Sequence, residues 1–174
     1  PRYAAQVRRI IDLHRDELAD GTTVLAGDLN CSGNTADPRP HLANVGELRS
    51  LGLESAFHAV DGVEPGSEPM GTLYWRWQES APFHCDLGFV PAAWVPSIRN
   101  VEIGTFDEWV ASGISDHAPV VIDVDLPDPS AVASVGDTAP TAAPANLEAL
   151  RLQSYVGPTA TPYVFRGLTA TDTV

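Results

Sequence analysis

The sequence has no lysine. Its ten basic residues are all arginine, set against 23 acids for a formal net charge of −13. Non-specific binding of duplex DNA needs a basic face, so this composition argues against that role for the chain alone. A phosphate substrate remains open, because a divalent metal supplies positive charge locally. Cysteine is also scarce: Cys31 and Cys85 are the two, with no CxxC spacing. Two thiols cannot make a disulfide framework. They read as free and buried or half-buried, which fits a reducing compartment, and a cytoplasmic location is expected. No stretch reaches the ~18 consecutive apolar residues of a membrane span, so no membrane partner is expected. Pro1-Arg2-Tyr3 is neither an initiator sequence nor a secretory signal. A helical pattern begins almost at once, so the chain reads as though it starts inside a domain.

The 174 residues are enough for one domain with a substantial core. Tyr3, Val7, Ile10, Ile11, His14 and Leu18 recur at helical spacing and predict an amphipathic helix over 3–18. Thr22–Gly27 predicts a strand without polar alternation, as when both faces are covered. Asp28 then falls at its C-terminal end, where ligand-contacting loops gather in layered α/β folds. Residues 31–40 and 61–71 are loops rich in Gly, Asn, Asp and Pro. Between them, Leu42, Val45, Leu48 and Leu51 predict a second helix ended by Gly52, and Ser55–Val60 is ambiguous. Thr72–Gln78, Phe83–Val90, Val101–Ile103 and Pro119–Leu126 read as strands. Beyond Leu126 come Pro127, Pro129, Pro140 and Pro144 among Ala, Ser and Thr, which is linker chemistry. Residues 1–126 are therefore expected to form the compact unit. Residues 127–174 are expected to be a disordered or loosely attached tail, with two helical turns over Leu147–Tyr155.

Three short motifs carry chemistry. In Gly27-Asp28-Leu29-Asn30 a carboxylate can orient or deprotonate water, and the amide two residues on can donate to a phosphate oxygen. Alone, this tetrapeptide is better explained as a turn cap. In Phe83–Val90, His84 and Asp86 alternate with Cys85 and Leu87, giving a strand one polar face. A carboxylate there must be solvated, paired or catalytic, and Asp86 is a candidate to fix the tautomer of a histidine. Ser115-Asp116-His117 precedes the strongest strand. Its histidine can pass a proton or stabilise charge on phosphorus, and its carboxylate can bind metal. Alone, it too reads as a loop turn.

The order of the three, with segments such as Thr72–Gln78, Pro82-Phe83-His84, Val90–Trp94 and Gly104–Trp109, resembles the endonuclease/exonuclease/phosphatase family, which includes DNase I and exonuclease III. The resemblance covers roughly residues 3–126. It implies an α/β fold, half of a four-layer DNase I-like sandwich with a mixed, mostly antiparallel sheet and flanking helices. It implies metal-dependent phosphoester hydrolysis, by in-line attack of water with Mg²⁺ or Mn²⁺. Asp28 would activate the water, Asn30 would contact the scissile phosphate, Asp86 would pair with His117, and His117 would stabilise the transition state. Asp116 would lie at the metal. His84 is open between a phosphate contact and a strand-surface histidine. His14, His41 and His58 are expected to be structural or exposed, and Cys85 and Gly88 are smaller than the family pattern leads one to expect.

The resemblance also implies a partner. The first half of the fold, with the main metal-binding glutamate, would precede Pro1. An isolated half would expose an apolar sheet face, so the chain is expected to be a fragment, inactive alone. The rival reading is a catalytically inactive fragment that serves as a binding or interaction module. Nuclease and phosphatase activities are not separated by any residue pattern here.

Overall fold

The computed structural model describes residues 2–125, 150–154 and 163–165. The chain is mixed α/β, with every described strand pairing antiparallel. The predicted first helix is two, α1 (Arg2–Leu13) and α2 (Arg15–Leu18), separated at His14. There follow β1 (Val24–Asp28), α3 (Arg39–Ser50), β2 (Leu53–Ser55) and α4 (Ala56–Asp61). The ambiguous Ser55–Val60 is thus the end of a strand running into a short helix. Gly62 closes α4 in the left-handed conformation, at φ 66°, which glycine adopts without a Cβ penalty.

The expected strand over Thr72–Gln78 is only two residues long, β3 (Leu73–Tyr74). Trp75–Trp77 is instead a tight turn with Arg76 and Trp77 at φ 56° and 62°. The β-propensity of Thr, Tyr and Trp loses to this left-handed backbone. The expected strand over Phe83–Val90 is broken in two, β4 (Pro82–Phe83) and β5 (Asp86–Pro91). At the break the Thr72 hydroxyl accepts from the amides of Cys85 and Asp86, at 3.0 and 2.9 Å. Then come β6 (Ile98–Ile103) and β7 (Val120–Val124). Leu150–Ser154 is a strand, β8, rather than helical turns, and Tyr163–Phe165 is β9. Most of the predicted tail otherwise lies outside the described residues.

One sheet runs β2-β5-β1-β9, a second β6-β7-β8, and β3-β4 is a separate ribbon. Strand periodicity decides what each face of the first sheet meets. Leu25, Leu87 and Phe89 point to α1 and α3, where Val7, Ile11, Val45 and Leu48 bury with them. Each such side chain contributes roughly 1.5–3 kcal/mol by leaving water. The alternate residues Val24, Ala26 and Val90 point the other way, against Val120, Ile122 and Val124 of β7. The order is therefore helices, sheet, sheet. Gly88 explains itself here: a Cβ on it would lie 2.3 Å from Ile122 Cδ1. The missing side chain is the space that Ile122 fills.

Among the described side chains, the outward face of β6 and β7 carries Asn100, Glu102, Val121 and Asp123. Arg15 and Arg8 both pair with Glu47, and Asn44 donates to the Ala4 carbonyl at 2.8 Å. These contacts fix α1 on α3 and so set the helical layer behind β1. No described helix is long and apolar enough to cross a membrane.

Candidate functional site

Antiparallel register builds the centre of the site. Asp28, the last residue of β1, lies directly opposite Asp86, the first of β5. Both belong to the set of alternate positions that faces the second sheet, so two buried carboxylates are neighbours at one end of the sheet's inner strands. Asp28 accepts from the Asn30 backbone amide at 2.7 Å and from its side-chain Nδ2 at 2.6 Å. Asn30 sits at φ 49°, a conformation asparagine tolerates better than most residues. The turn-cap reading of this motif is therefore realised, and the same geometry holds the Asn30 amide beside the carboxylate. Burial, then the nearby Asp86, raises the Asp28 pKa above its ordinary value.

His117 enters from the segment before β7. Its Nδ1 lies 2.9 Å from Asp86 Oδ2. With Asp86 ionised, Nδ1–H is the donor, which leaves Nε2 for another group. Burial works to lower the His117 pKa. The hydrogen bond to Asp86, and the charges of Asp86, Asp28 and Asp116, outweigh it and hold the pKa above the usual 6.5. Asp28, Asn30, Asp86 and His117, from three separate stretches of sequence, are thus gathered in one place.

Thr72 is the residue that sequence reasoning missed. It is fully buried, its carbonyl accepts from the Ala118 amide at 2.8 Å, and its amide donates to the Phe83 carbonyl at 2.9 Å. With its hydroxyl on Cys85 and Asp86, it joins the strand carrying Asp86 to the segment carrying His117. Tyr74 N donates to the Asp116 carbonyl at 2.8 Å, and Leu73 forms a bridge with His117. Nothing in a Gly-Thr-Leu string marks such a role, because its partners are 11 or more residues away.

His84 is buried. Its ring packs on Phe57 with centroids 4.6 Å apart, and Nδ1 lies 3.2 Å from the Met70 carbonyl. Its Nε2 is buried with no hydrogen-bond partner. Burial, outweighing the Met70 carbonyl and the nearby Glu68 and Asp86, lowers its pKa and so favours the neutral ring. His58 is buried beside it, between Ser55 Oγ at 2.7 Å and Glu68 Oε1 at 3.0 Å. Burial would raise Glu68, but the His58 hydrogen bond and backbone amides bring it down to about 2. His41 is buried too, while His14 is half-buried against Glu17. The His58–Glu68 pair anchors loop 61–71. That loop meets loop 31–40 backbone to backbone, where a Cβ on Gly33 would lie 2.4 Å from Gly66 N.

Asp28, Cys85 and Asp86 each offer a ligand atom, all within 4.8 Å of one another. The two carboxylates suit a hard cation such as Mg²⁺ or Mn²⁺, which takes one or two protein carboxylates and keeps its waters. The Cys85 thiol does not suit it. Burial, first, and the two aspartates push its pKa well up, so it stays a neutral thiol. Asp116, half-buried, is outside this group of three. No family model matches the chain, and neither the curated proteins nor the solved structures yield a match.

Proposed function

We propose that the chain supplies the water-orienting and phosphate-stabilising side of a metal-dependent phosphoester hydrolase, as half of a four-layer DNase I-like sandwich. The observation that carries this reading is the Asp28–Asp86–His117 constellation, with Asn30 bonded to Asp28. Its residues come from three distant motifs in the order the family resemblance requires. A divalent cation at Asp28 and Asp86 would supply charge neutralisation and Lewis acidity.

The chain's own residues would do the rest. Asp28 accepts a hydrogen bond from the attacking water and orients it. Asn30 uses the Nδ2–H not engaged by Asp28 to hold a phosphate oxygen. Asp86 fixes the ring of His117, and the raised His117 pKa favours the imidazolium. Nε2–H then donates to charge building on phosphorus. The first half of the fold would add the remaining metal ligand, so the chain alone is expected to be inactive.

The test is Mg²⁺-dependent hydrolysis of an activated phosphodiester and of a phosphomonoester, with the first half joined. His117→Ala should lower kcat by about 10²–10³-fold, and Asp28→Asn by about 10²–10⁴-fold. Retention of full activity by both variants would remove the site assignment.

A further inference from the structure

β1 and β7 lead to the site, yet they have the sequence of inner strands. The other outer strands of the two sheets protect themselves. β6 carries Arg99, Asn100 and Glu102, with a register shift between Ile98 and Asn100, and β2 is three residues long with Glu54 at its middle. Charges, bulges and shortness keep an exposed strand edge from pairing with other chains. β1 has none of them over Val24–Gly27: it is Val-Leu-Ala-Gly-Asp, buried throughout, with its one charge at the site. β7 is Val-Val-Ile-Asp-Val, with one charge. Within residues 2–125, each is nevertheless the last strand of its sheet. The C-terminal segment fills both edges. β8 pairs with β7 from Val120↔Ser154 to Val124↔Leu150, and β9 pairs with β1 from Val24↔Phe165 to Ala26↔Tyr163. Residues 155–162, which join β8 to β9, are enough chain to cross the ~10 Å between packed sheets. β9 stops short of the site, because Gly27 and Asp28 pair with β5 but not with β9.

We propose that β8 and β9 form a displaceable strap, which occupies the strand edges through which the first half of the fold would join this one. The proposal rests on the half-sandwich reading above. Within the plane of the first sheet, the way to Asp28 is from the side away from β5, and β9 lies on that side. In the second sheet β6 takes one edge of β7 and β8 the other. Strand addition draws its affinity from main-chain hydrogen bonds. A strand of the first half and a strand of the chain's own C-terminal segment therefore compete for the same row of amides and carbonyls. Until the first half arrives, the strap covers two edges that would otherwise pair with any extended chain.

The test uses the full 174-residue chain and reads hydrogen exchange. Neighbouring amides of an antiparallel strand point to opposite edges. Leu152→Pro and Gln153→Pro are therefore made separately, and so are Val164→Pro and Phe165→Pro. In each pair, one variant removes an amide that donates into the sheet. That variant should lower protection in Val120–Val124 or in Val24–Ala26 by at least about tenfold, while α1 and α3 stay protected as in the wild type. If proline unfolds the chain, Leu152→Gly and Val164→Gly weaken the strands and keep their amides, and the same local loss is expected. The polypeptide carrying the first half, added separately, should bind the strap variants at least about tenfold more tightly than the wild type. Unchanged protection in every variant overturns the strap. Lost protection with equal binding of the first half overturns the competition and leaves the strap as edge cover alone. Lost protection with no binding to any variant removes the half-sandwich reading as well.

Discussion

Replacing Gly88 by alanine tests whether the two sheets meet as described, and with them the placement of Asp86 against His117. The added Cβ would lie 2.3 Å from Ile122 Cδ1, about 1.1 Å short of the 3.4 Å at which ordinary contact begins. Ile122 is buried among Val24, Ala26, Val90, Val120 and Val124, so its terminal methyl has little room to swing. Overpacking of this kind costs ~1–3 kcal/mol, partly offset by the ~0.5–1 kcal/mol gained when alanine replaces a strand glycine. A net destabilisation between about 0 and 2.5 kcal/mol is expected from these two terms. Ile122→Val alone should cost ~0.5–1.5 kcal/mol. It also deletes the clashing atom, and the next one, Cγ1, is 3.8 Å from the new Cβ. The double variant should then be no less stable than Ile122→Val by itself. Urea unfolding at constant m-value measures all four corners of the cycle. Costs that simply add in the double variant would refute the sheet-on-sheet contact.

Three further outcomes follow from the site. Asp86→Asn should lower the His117 pKa, read by NMR titration of the imidazole; an unmoved titration would mean that Asp86 does not hold the ring. Because the folded His117 pKa lies above 6.5, its contribution to stability is complete below 6.5 and fades as pH rises through the folded value. His41 and His84 act oppositely. Burial lowers both, so the unfolded chain takes up protons first and stability falls as pH drops below 6.5. Glu68, held at about 2 against an ordinary 4.5, adds a second loss as pH falls from 4.5 towards 2. Protection factors against hydrogen exchange in loop 61–71, taken relative to the free-chain rate at each pH, should fall over this range in the wild type and less in His84→Phe; identical profiles would clear His84 of that role. Thr72→Val should leave the Cys85 and Asp86 amides without an acceptor at ~1–3 kcal/mol per amide, while Thr72→Ser retains most of the stability; equal behaviour would show that shape alone matters.

The strand ending in Asp28 and β7 were legible because each carries a run of consecutive apolar residues. Helix α3 was legible from its period. Trp75–Trp77 was not, since strand-forming residues there serve a turn that only the φ angles reveal. Thr72 and Gly88 were illegible in another way. Each is defined by a partner far along the chain, the amides at 85 and 86 for one and the Ile122 methyl for the other. His41 and His58 gave no sign of joining a buried cluster, because no periodicity places a loop glutamate at position 68 beside them. The proximity of Asp86 and His117 was available only through family resemblance, and 31 residues separate them.

Thr72 ties the spacing of the carboxylate and imidazole to main-chain geometry. Its hydroxyl, carbonyl and amide reach the two segments that bear those groups without using either functional side chain. The rims at 31–40 and 61–71 carry none of that burden. On the proposed reading, substitutions in those loops leave the Asp86–His117 pair in register, so their sequence is free to change without moving that pair.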